Sequence, residues 1–243
     1  MDLHDPVSSL SHLLMAAWAV LASVVLLRLS ARHTRSQRLS IAFYAVSVVS
    51  LYTASGLFHG IRHESLHARR VWQLLDQSAI FGLILGSNVP MLVYVLPRRL
   101  RNRLLALMTG VALFGVVSLW VLPKPPHELL VMAYLGMGIL GLLPIRIYFR
   151  RLGWAGMKWI GLLAFFYIAG GVAEAVKWPV IVSGWFGYHE FLHVFDMAGT
   201  VAHYALLLRV VVTTPPRTST SGARRPYMTG DFFLTPGESR TTM

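Results

Sequence analysis

The sequence predicts an all-α polytopic membrane protein, a bundle of seven transmembrane helices. Three observations lead there. The chain of 243 residues is 55% hydrophobic and 13% charged, too little polar surface to coat a soluble core of that size. Its mean hydropathy is +0.58, and apolar runs of about 20 residues, enough to cross a hydrocarbon layer of roughly 30 Å, recur along almost its whole length. These runs are too long and too uniformly apolar for barrel strands, which leaves helices as the only spans that satisfy their own backbone.

The first run, 7–27, is preceded by Asp2 and Asp5 and followed by Arg28, Arg32, Arg35 and Arg38. It has neither the basic leader nor the small-residue cleavage site of a secretory signal. The second run, 39–60, closes on SGLFHG, which carries Ser55 and His59. The third, 72–96, follows Arg69 and Arg70, holds Asp76 near its start and contains GSNVP (86–90), where a proline predicts a local kink. The fourth is 103–122. In the fifth, 128–149, Pro144 predicts another kink, as Pro179 does in the sixth, 157–182. Glu174 and Lys177 in the sixth run stand three apart and most simply neutralise each other. The seventh, 190–212, begins at GYHEFLHVF (187–195). From Thr213 the composition turns to Thr, Ser, Pro, Gly and Arg and cannot bury a core. Residues 1–212 are therefore expected to form the seven-helix domain, and 213–243 a flexible cytoplasmic tail.

The formal charge is +12, but it is parcelled among short loops. Alternating the sides of the runs places seventeen of the 22 Lys and Arg on one side and five on the other. The positive-inside rule then puts the amino terminus outside and the carboxyl terminus in the cytoplasm. No basic face is left over for nucleic acid; membrane lipid is the expected partner. Cysteine is absent, so a metal would have to be held by His, Asp or Glu.

A charged side chain in the bilayer centre costs about 2.5–3.5 kcal/mol, so polar groups inside the spans are functional candidates. Counting crossings brings the end of run two and the starts of runs three and seven to one side, with Ser55, His59, Asp76, His189 and His193 at one depth. Ser55 and His59 share a helix face, as do His189 and His193. Three histidines without cysteine suit Zn²⁺ with an open position for water, the catalytic arrangement. Asp76 is then the candidate general base, and Ser55 a contact for a substrate oxygen or for the ligand shell. The plainer readings are a helix-start role for Asp76 and a backbone bond for Ser55. His63 and His67 are expected to touch headgroups, and His12 and His203 to be hydrogen-bonded packing residues.

Several stretches resemble the hemolysin III family, related to the progestin and adipoQ receptors and more distantly to alkaline ceramidases. They are SSLSH (8–12), SGLFH (55–59), RRVWQLLDQSAIFGLILGSNVP (69–90) and AVKWPVIVSGWFGYHEFLHVFDMAGTVAHY (175–204). The resemblance covers all seven runs and excludes the tail. It implies a bacterial membrane protein with zinc on His59, His189 and His193, and with Asp76 and Ser55 beside it. Three departures stand out: Gln77 replaces the family's His after the Asp, GSNVP replaces Gly-Thr-Tyr-x-Pro, and Asp196 occupies a normally apolar position, where it is a candidate second carboxylate. The charge-derived orientation also opposes that of adiponectin receptors, which place zinc near the cytosol.

Three functions compete. A zinc-dependent hydrolase would cleave a lipid amide or ester within the bilayer. A non-enzymatic receptor, regulator or cytolysin would use zinc structurally. A membrane metallopeptidase would use His189-Glu190-Phe191-Leu192-His193 as H-E-x-x-H, with Glu190 as base.

Overall fold

The computed structural model describes residues 5–62, 65–122, 126–182 and 186–213. The expected tail beyond Thr213, and His63, lie outside the described residues. The helices are α1 (Pro6–Leu29), α2 (Arg35–Gly60), α3 (Leu66–Val95), α4 (Arg98–Val121), α5 (His127–Leu142), α6 (Ile145–Val176) and α7 (Tyr188–Leu206). A π turn, Leu207–Val211, extends α7. The chain is an all-α integral membrane bundle; among the described residues, the only β feature is one bridge, Val182 to Phe186.

Local signals start the helices. Asp5 caps α1 by accepting the Ser8 N–H at 3.2 Å, with Pro6 in the first turn. Thr34 and Gln37 form a reciprocal box at the head of α2, which satisfies two amides that have no partner inside the helix. Ser65 accepts the Ala68 N–H at the head of α3.

Two predicted spans are redrawn. The run 128–149 is divided: α5 ends at Leu142, and Pro144 precedes a new helix that begins at Ile145. A proline lacks the N–H that a helix interior needs but is tolerated at a helix start. It therefore starts α6 rather than kinking α5. At 16 residues, α5 is about 24 Å long, shorter than the hydrocarbon layer. The other six helices are each long and apolar enough to cross it. α6 ends at Val176, not 182, where Lys177 turns left-handed at φ 54°. Pro179 lies beyond that end. The break within α6 falls instead at Gly153, φ 58° and ψ −164°, a backbone region that favours glycine. α3 runs unbroken through Pro90.

The closest helix pairs are α1 with α2, α2 with α3, and α6 with α7. Leu26, Tyr44, Val48, Tyr52, Leu92 and Tyr204 anchor the main core, and Phe81, Leu119 and Met137 a smaller one joining α3, α4 and α5. Gly86 lets α3 approach α2, because a Cβ there would overlap the Ser47 side chain. Large apolar residues such as Leu21, Val46 and Phe114 stay exposed. That outer face suits lipid rather than water.

Candidate metal centre

Two helix ends build the site. His59 lies in the last turn of α2, whereas His189 and His193 occupy the first two turns of α7. One ligand nitrogen from each lies within 4.8 Å of the others. The rings are mutually close: centroids are 5.0 Å apart for His59 and His193, 5.4 Å for His59 and His189, and 4.4 Å for His189 and His193. Nε2 of His193 and Nε2 of His189 face each other at 3.1 Å. Zn–N bonds of about 2.0–2.1 Å in a tetrahedron set ligand nitrogens roughly 3.3 Å apart. The α7 pair is already at that spacing, and His59 needs to close by at most about 1.5 Å.

Two carboxylates orient these rings. His59 Nδ1 lies 3.4 Å from Asp5 Oδ2, and the Asp5 N–H donates to the His59 carbonyl at 3.0 Å. His189 Nδ1 lies 3.3 Å from Glu174 Oε2. A carboxylate on the second ring nitrogen fixes the tautomer of a metal-binding histidine and directs the other nitrogen to the ion. The donor set thus fits a divalent ion such as Zn²⁺, with His59, His189 and His193 as ligands.

The expected pairing of Glu174 with Lys177 is overturned. Glu174 turns to His189, and Lys177 has no ion pair among the described residues. Asp5 was legible only as a charge before the first run. Crossing parity carried the missed signal, since the start of run one and the end of run six share the depth of the histidines.

Ser55 on α2 and Asp76 on α3 come within interacting range of each other at the cavity wall. From there the Ser55 hydroxyl can donate to the Asp76 carboxylate, which can only accept. Both residues line a cavity of about 640 Å³ together with His189, His193 and Glu174, within the usual range for small-molecule sites. Its lining runs on α7 from His189 to Leu206 and on α3 from Gln73 to Met91, about 25 Å along each helix. That is most of the hydrocarbon thickness and longer than a single leaflet of about 15 Å.

Glu190 is used otherwise. Its Oε2 accepts the Gly187 N–H at 2.7 Å, capping the start of α7. His67 is exposed. The expected hydrogen bonds of His12 and His203 are absent: both rings are buried, and none of their nitrogens has a partner among the described residues. Their packing is by ring contact, His12 against His193 at 4.3 Å and His203 against Tyr44 at 4.7 Å.

Known proteins place this architecture. The chain is 28% identical over 176 residues to the "Hemolysin-3 homolog" of Bacillus subtilis, covering 72% of this chain and 79% of that protein. It is 25% identical over 213 residues to "Hemolysin-3" of Bacillus cereus, covering 85% and 91%. An "Adiponectin receptor protein" of Drosophila melanogaster is 28% identical over 180 residues, covering 67% of this chain and 40% of that one. The family described as "Haemolysin-III related" matches residues 3–204, from ahead of Asp5 to just past His203, and the chain belongs to that family.

Proposed function

We propose that this protein is a zinc-dependent hydrolase of a lipid amide or ester, working at one membrane face. The observation that carries the reading is a three-histidine cluster and a Ser55–Asp76 pair lining one long apolar cavity. A bound zinc ion would lower the pKa of water toward 7 and polarise a carbonyl. The residues of the chain do the rest. His59, His189 and His193 supply three nitrogen ligands, and Asp5 and Glu174 hold two of those rings in register. Asp76, steadied by Ser55, accepts the proton of the attacking water. The water oxygen adds to the carbonyl carbon, and the C–N or C–O bond breaks. The leaving group takes its proton from Asp76. The apolar length of the cavity accommodates the acyl chain.

The charge distribution supports an orientation with this site on the outer side of a bacterial inner membrane. A carboxy-terminal alkaline phosphatase fusion should then be inactive, and an active one reverses the assignment. A second reading, a receptor-like regulator with structural zinc, is favoured by the receptor name of the Drosophila relative. The Glu190 cap speaks against a peptidase, whose base would have to face the metal.

The test is elemental analysis of the purified protein followed by turnover of N-acyl and O-acyl lipids. Wild type should carry one zinc per chain, and His59→Ala, His189→Ala and His193→Ala should each carry almost none. Asp76→Asn should keep its zinc and lose at least 100-fold in rate, the scale of general-base catalysis. Zinc-loaded wild type without lipid turnover supports the regulator.

A further inference from the structure

The cavity is acidic beyond what the metal centre needs. Asp76, Glu174 and Asp196 all line it, and its described lining includes no Lys or Arg. Three neutral imidazoles and a divalent ion would leave one negative charge over. Asp76 has Ser55 and Glu174 has His189. Among the described residues Asp196, like Asp76, pairs with no Lys, Arg or His.

Asp196 is nevertheless held as a carboxylate would be. The Tyr52 hydroxyl lies 2.8 Å from Asp196 Oδ2 and 2.8 Å from Thr200 Oγ1, and the Tyr167 hydroxyl lies 3.1 Å from the same Thr200 oxygen. Each hydroxyl has one proton. Tyr52 is the donor in both of its contacts, so its single proton goes either to Thr200 or to the acceptor-only Asp196 carboxylate. The second carboxylate oxygen takes no hydrogen bond among the described residues, although the residue lines the cavity.

A second observation points to the same place. His12 is 2% exposed and lines the cavity, with both ring nitrogens unpartnered. It packs 5.3 Å from Tyr52 and 4.3 Å from His193, centroid to centroid, yet stands outside the three-histidine cluster. A buried polar ring left unpaired is costly, and a neutral imidazole offers an acceptor. The subsite thus presents acceptors and net negative charge just inside the metal centre.

We infer that Asp196, which has Tyr52 as a common neighbour with His12, recognises a protonated amine on the lipid that enters the cavity. The inference rests on the hydrolase reading in treating that lipid as substrate, and it makes the substrate class amine-bearing. An alcohol could satisfy the hydrogen bonds but would leave the carboxylate unbalanced in an apolar chamber, where charge must be paired.

Binding separates this inference from the reading it extends. Full-length protein, zinc-loaded and metal-stripped, is titrated in detergent with dodecylamine and with dodecanol. Wild type should bind the amine at least tenfold more tightly than the alcohol in both forms. Asp196→Asn, which keeps an acceptor for Tyr52, should bring that ratio near one while zinc content and alcohol affinity hold. Equal affinity for the two probes in wild type overturns the inference without any variant. An unchanged ratio in Asp196→Asn overturns it as well. An amine preference in protein that binds no zinc keeps the inference and removes the hydrolase reading; zinc without the preference does the opposite.

Discussion

At the metal end of the cavity, three polar pairs form, His59 with Asp5, His189 with Glu174 and Asp76 with Ser55, while His12 behind them is unpartnered. At the other end, His203 is 3% exposed and Tyr44 is 0% exposed, and neither the ring nitrogens of the first nor the hydroxyl of the second has a partner among the described residues. Both regions involve α2 and α7, but Asp5, Glu174 and His189 are only partly buried, whereas His203 and Tyr44 are fully so. The two ends therefore differ in partnering as well as in exposure. A buried group with a partner has one orientation; without one it loses about 1–3 kcal/mol and fixes nothing. Chemistry belongs at the end where orientation is enforced.

The strongest way to break this comparison is to remove the partners. Asp5→Asn and Glu174→Gln keep size and hydrogen-bonding capacity but remove the charge that steadies each ring. Each should weaken zinc affinity by about 10–100-fold, read by competition with a chelator, with the fold intact by circular dichroism. An unchanged affinity would make the two carboxylates ordinary surface charges and leave the metal end no better organised than the far end.

Smaller, but shared by both ends, is the α2–α3 contact at Gly86. A Cβ there meets Ser47 and, at 3.6 Å, the Tyr44 Cα, about two turns along α2 from Ser55. Gly86→Val should cost about 1–3 kcal/mol as overpacking, seen as a lower melting temperature, and should reduce turnover by spreading Ser55 from Asp76.

The convergence of His59, His189 and His193 was legible because helix crossings impose parity and i, i+4 spacing imposes a face. Both rules are blind to what lies across a helix pair. Hence Glu174 was assigned to its sequence neighbour Lys177, while the fold gives it to His189 on the next helix. Hydropathy found the helices but not the division at Pro144, because the residues on either side are equally apolar and only the missing amide marks the boundary. The His12 and His203 rings were read as hydrogen-bonded because burial of a polar ring normally requires it. No sequence pattern announces an exception.

That exception supplies the smallest and most discriminating test. His203→Leu exchanges a ring with two unpartnered nitrogens for an apolar side chain against Tyr44. If the far end is only packing, removing the unpaired groups offsets the lost ring contact. Stability should then stay within about 1 kcal/mol of wild type or rise, with zinc content unchanged. Tyr44→Phe, which deletes a single unpartnered hydroxyl, should behave the same way. A loss above about 2 kcal/mol in either variant would mean that a buried water joins His203 to Tyr44. The far end would then be a built polar site too, and partnering would no longer distinguish the two halves of the cavity.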